Sequence, residues 1–133
     1  ELGTITADLE YRTRLANELG VDVFVSIHHN SGSSSARGTE TYYTDYTLNG
    51  RQSQTLARLV QQRLVNTTGL LNRGVKNYDY YVTRNTDAPA ILIELAFLSN
   101  SEEGKLAMDP VFQQEEAEAI VSALEDFFQG TAK

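Results

Sequence analysis

The sequence predicts an α/β fold: a three-layer domain whose mostly parallel central sheet is flanked by helices. Two runs, residues 21–27 and 90–95, are apolar almost throughout, the mark of strands covered on both faces. Helical and strand patterns alternate along the chain, as in layered α/β folds. The alternation opens with a helix, so the sheet is expected to lack an N-terminal strand. With no internal repeat and no linker composition, residues 1–133 read as a single, partial domain.

Asp8 is the expected N-cap of a first helix, with Leu9, Leu15, Ala16 and Leu19 at helical spacing and Gly20 ending it. Residues 21–27 follow as a fully buried strand in which only Asp22 and Ser26 are polar. Residues 30–38 are a Gly/Ser loop, and residues 39–44, β-branched and aromatic, a strand. Residues 51–65 form a helix with Leu56, Leu59, Val60 and Leu64 on one face. Residues 78–83 read as a strand, 85–89 as a turn and 90–95 as a second buried strand. Asn100 caps a short helix with Glu102 and Glu103 in its first turn. Asp109 and Pro110 open the last helix, whose apolar face is Phe112, Ala119, Ile120, Ala123, Leu124 and Phe127. Residues 130–133 are a tail.

Composition narrows the function. A net charge of −7 argues against nucleic acid, which is held by Lys and Arg on phosphate, and against a basic membrane-surface patch. No run is long enough for insertion across a bilayer. Cysteine is absent, so any metal must use His, Asp or Glu. The chain shows no signal peptide and does not begin with Met, so it is expected to be a fragment or processed product of something longer. Oligomeric state is not legible.

Open α/β sheets bind ligands outside the carboxyl ends of their strands. His28 directly follows one buried strand and Glu94 lies near the end of the other, so parallel strands would bring both to one edge. An imidazole and a carboxylate there are the raw material of a metal-assisted active site. His29 points away from His28, so at most one of the two joins Glu94. Phe24, Ser26 and His28 share one face, and periodicity leaves open whether that face carries the site. The plainer alternatives are a hydrogen-bonded His28, a surface His29, a Glu94 paired with an arginine, and an Arg73 that is a solvated turn charge. Tyr42, Tyr43, Tyr46, Tyr78, Tyr80 and Tyr81 either fill amphipathic strands or line a saccharide or peptide groove. No G-x-S-x-G elbow, P-loop or G-x-G-x-x-G turn is present.

Four linked motifs carry a resemblance. They are Ser26-Ile27-His28-His29-Asn30, Gly38-Thr39-Glu40-Thr41-Tyr42-Tyr43, Arg73-Gly74-Val75-Lys76 and the run from Pro89 through Glu94 to Asn100. In this order and spacing the chain resembles the zinc-dependent N-acetylmuramoyl-L-alanine amidases of bacterial cell-wall lysis and remodelling, from about Asp8 to Phe128. The resemblance implies a hydrolase with an α/β sheet and a single Zn²⁺ held by two histidines and a glutamate. It makes His28 one zinc ligand, Glu94 the catalytic base, and Asn30 and Arg73 residues that contact substrate or hold the site. The substrate would be peptidoglycan, cut between the lactyl group of N-acetylmuramic acid and L-alanine, in an extracellular, cell-wall or periplasmic setting.

The resemblance has a gap. The family's remaining zinc ligands lie in an N-terminal P-G-H-G-G motif and a glutamate after it, and neither occurs here. The expectation is therefore a truncated amidase domain, inactive alone, with an exposed sheet edge. The alternative is a non-catalytic, amidase-derived module that binds cell wall or protein.

Overall fold

The computed structural model describes residues 4–131. In chain order these form α1 (Ile5–Leu19), β1 (Phe24–Asn30), β2 (Thr39–Tyr43), α2 (Gly50–Thr68), β3 (Asn72–Asn77), α3 (Tyr81–Asn85), β4 (Ala90–Phe97), α4 (Ser101–Ala107) and α5 (Pro110–Thr131). The strands make one sheet in the order β1-β4-β2-β3. β1 and β4 are parallel, as are β2 and β3, while β2 runs antiparallel to β4. The three-layer α/β prediction holds, with a mixed sheet whose two parallel pairs meet at an antiparallel seam.

Side-chain alternation along β4 divides the layers. Ile91, Ile93 and Leu95 face α2 and α5, where Leu56, Val60, Leu64, Ala123 and Phe127 complete the core. Leu56, Val60, Leu64, Ile91 and Ile93 are all 0% exposed, and this burial is the main stabilising term. An Arg63–Asp126 pair also joins α2 to α5. Leu92 and Glu94 face the other way, into a groove walled by α1 and α3.

Several local expectations shift. Thr4, not Asp8, caps α1, its Oγ1 accepting the Ala7 N–H at 3.0 Å. Asp8 lies in the first turn instead, where the helix dipole favours it, and pairs with Arg12 at 2.8 Å. Gly20 closes α1 in the left-handed conformation, and Asn100 caps α4 through Glu102 and Glu103. α5 continues through Gly130 and Thr131, which were expected in a tail; residues 132–133 lie outside the described residues.

The strand expected at residues 78–83 is a misreading. The chain is extended earlier, as β3, and Tyr81–Asn85 is the short helix α3. β3 reads Asn-Arg-Gly-Val-Lys-Asn, with no apolar alternation to betray it. Gly74, at φ 88°, accompanies a register shift between Thr39 and Thr41 of β2, and such a bulge hides the period-two signal. β1 is not fully buried either: it pairs only with β4 among the described residues, and Ile27 is 55% exposed.

Candidate active site

Strand register assembles the site. The parallel β1–β4 ladder places His28 beside Glu94, and the antiparallel β2–β4 ladder places Glu40 on the other side of Glu94. One row across one face of the sheet therefore reads His28, Glu94, Glu40. His28 and Glu94 lie inside their strands rather than beyond them, because β1 runs to Asn30 and β4 to Phe97. His28 is exposed, with Nε2 2.9 Å from Ser26 Oγ; His29 is also exposed. A groove of about 250 Å³ opens over this row, lined by Leu9, Ser26, His28, Tyr80, Leu92 and Glu94 among others.

Glu94 is held without neutralising contacts. Its Oε2 is buried and has no hydrogen-bond partner among the described residues. Burial first, and the nearby charge of Glu40 second, push its carboxyl up to about 7. The expectation that Glu94 is paired with an arginine at the sheet edge does not describe it: Arg73 goes to Glu40 instead.

Glu40 is the opposite case. It is 3% exposed, and four side chains from three strands converge on it. Asn30 Nδ2 donates to Oε1 at 2.9 Å and Tyr42 Oη to Oε1 at 2.6 Å. Arg73 Nε donates to Oε2 at 2.7 Å and Lys76 Nζ to Oε2 at 2.6 Å. Burial would raise this carboxyl, but the bonds from Lys76, Tyr42 and Arg73 outweigh it and hold the group down at about 2. Tyr42 is pushed up in turn by burial and by its bond to Glu40.

Asn30 and Arg73, predicted as substrate-side residues, thus come together on Glu40. Arg73 is no solvated turn charge: its guanidinium also lies 4.8 Å from the Phe97 ring centroid. Reasoning from the sequence missed Glu40, Tyr42 and Lys76. The available signal was Glu40 itself, a carboxylate in a β-branched, aromatic strand, where a buried charge requires partners. The tyrosines differ in setting, and Tyr80 and Tyr81 line the groove. Tyr43 is core, while Tyr42, Tyr78 and Tyr80 form a mutual cluster, with Tyr42 and Tyr80 edge to face at 5.1 Å.

A catalytic zinc typically takes three protein ligands plus water. Among the described residues no three His, Cys, Asp or Glu side chains gather to hold a metal. His28 and Glu94 are open, but Glu40 is already saturated by its four donors. The described residues therefore do not by themselves fit a complete zinc site.

A family model described as N-acetylmuramoyl-L-alanine amidase matches residues 4–126. The chain belongs to this amidase family. It is 40% identical over 90% of its length to the uncharacterized protein YqiI of Bacillus subtilis strain 168, and covers 58% of that protein. To the N-acetylmuramoyl-L-alanine amidase LytC of the same organism it is 36% identical over 84% of its length, covering 23% of LytC. Among solved structures, an N-acetylmuramoyl-L-alanine amidase from Clostridium difficile 630 superposes with a TM-score of 0.86 at 34% identity, over 91% of this chain and 65% of that one. The chain thus spans only part of the length of these relatives.

Proposed function

We propose that this amidase-family chain takes part in peptidoglycan hydrolysis, cutting the amide between the lactyl group of N-acetylmuramic acid and the L-alanine of the stem peptide. The observation that carries this reading is Glu94: a half-buried carboxylate whose buried Oε2 has no hydrogen-bond partner among the described residues, set beside an exposed imidazole in the lining of a groove. A carboxyl titrating near neutrality is suited to take a proton from an attacking water and return it to the leaving amine. The groove, with Leu92 on its floor and Tyr80 on its wall, suits the mixed apolar and polar surface of a muramoyl peptide.

His28 is the described donor best placed to face a zinc ion beside Glu94, and a zinc site needs further donors than the described residues bring together. Asn30 and Arg73 serve the substrate side of the site through Glu40. A 33% identical relative named probable cell wall amidase LytH, of Staphylococcus epidermidis, supports action at the cell wall, outside the cytoplasm. No described helix is long and apolar enough to cross a membrane. The test is release of stem peptide from a muramoyl-L-alanyl peptide by the zinc-supplemented protein and by Glu94→Gln. Loss of release in the variant is expected; activity that survives it overturns Glu94 as the base.

A further inference from the structure

Glu40 does not cancel the charge around it. It binds two cations, Arg73 and Lys76, and so leaves one net positive charge on a patch of an otherwise acidic chain. Both cations also keep donors to spare. Among the described residues Lys76 Nζ donates only to Glu40, and Arg73 donates only to Glu40 and the Arg37 carbonyl. The Arg73 and Lys76 side chains remain 33% and 39% exposed, respectively, while Glu40 beneath them is 3% exposed. The carboxylate thus acts as a buried anchor that fixes two partly exposed cations, and Phe97 restrains the guanidinium plane.

Position relates this pair to the chemistry. β3 carries the cations and lies two strands from β4, which carries Glu94. Two strand spacings are roughly 10 Å, the reach of about three extended residues. A peptide whose first amide sits at Glu94 can therefore lay a carboxylate from one of its next residues on Lys76 and Arg73.

We infer that Lys76 and Arg73, held by Glu40, form a specificity-determining site for a free carboxylate on the peptide side of the scissile amide. The inference rests on the hydrolytic reading above and names the part of the substrate that reading leaves open. Glu40 is a positioning residue in it, acting through the two cations.

The test uses two muramoyl-L-alanyl peptides that differ only at the second residue, one with a free carboxylate and one with the carboxamide. The zinc-supplemented wild-type protein is expected to favour the acid by about tenfold in kcat/KM, the ordinary scale of a charge-assisted hydrogen bond. Lys76→Met is expected to bring the ratio towards one, and Lys76→Arg to restore it. A merely structural role for Lys76 would lower both rates and leave the ratio unchanged. An unchanged ratio in Lys76→Met, or no acid preference in the wild type, overturns the inference whether or not the variants fold well. Binding of the two peptides, measured by calorimetry, separates this from failure of the hydrolytic reading. If neither peptide is cut but the acid binds about tenfold more tightly, the hydrolytic reading falls and the carboxylate site stands. Equal binding, or binding of neither, overturns the carboxylate site.

Discussion

Glu40 and Glu94 are directly opposed across the β2–β4 pair, yet they titrate in opposite directions. Glu40 is buried, and Glu94 is half-buried with its Oε2 out of contact with water. Four donors stabilise the charge on Glu40, whereas no described residue donates to Glu94 Oε2. The neighbouring negative charge of Glu40 then adds to the cost of ionising Glu94. One carboxylate is held ionised by its donors, and the other is shifted towards its neutral form.

Glu94→Gln is expected to separate function from stability. Loss of a general base lowers turnover by about 10²–10⁴-fold. Stability above neutral pH is expected to hold or rise, because a neutral amide replaces a charge that the site does not compensate. Hydrolysis assays and urea denaturation at pH 8 on the same preparation check both halves.

The pH dependence of hydrolysis is expected to carry a rising limb with a midpoint near 7, since Glu94 must be ionised to accept a proton. Glu40→Gln is expected to move that limb to lower pH. It removes the negative charge opposite Glu94 and leaves Arg73 and Lys76 uncompensated. A limb that stays in place in Glu40→Gln would detach the titration from Glu94.

Glu116 offers a test remote from the site. It is 3% exposed on α5, and burial pushes its carboxyl up to about 7. Its folded-state value exceeds the ordinary 4.5, so the folded protein binds more protons than the unfolded chain between these values. Its contribution to stability therefore falls as pH rises from about 4.5 to 7. Glu116→Gln is expected to stabilise the protein by roughly 2 kcal/mol at pH 8 and to have little effect at pH 4, read from paired denaturation curves.

Gly38→Ala is expected to destabilise by about 2 kcal/mol or more. Gly38 holds φ 109°, and an added Cβ would lie 2.5 Å from the Leu71 carbonyl oxygen. The backbone must move, and Gly38 N–H donates to the buried Glu103 carboxylate at 2.8 Å. Thermal melting checks the cost.

The sequence by itself determined α1, α2, α4, α5 and the two apolar strands, because spacing and capping are local, but not the short helix α3. Gly20 ends α1, Asn100 caps α4 and Leu56, Val60 and Leu64 recur on one face of α2. It also determined that His28 and Glu94 could meet, since both lie on strongly apolar strands whose parallel pairing the fold class implies. It did not disclose β3, whose residues apart from Gly74 and Val75 are polar and whose alternation is broken at Gly74. Only the tertiary structure decided that β2 runs antiparallel to β4 while β3 follows β2. Strand order is a choice among distant segments, and no spacing within either segment encodes it. That choice sets Glu40 against Glu94 and gathers Asn30, Tyr42, Arg73 and Lys76 around Glu40, so that one carboxylate is held ionised by four donors while the other keeps a buried oxygen without a partner among the described residues.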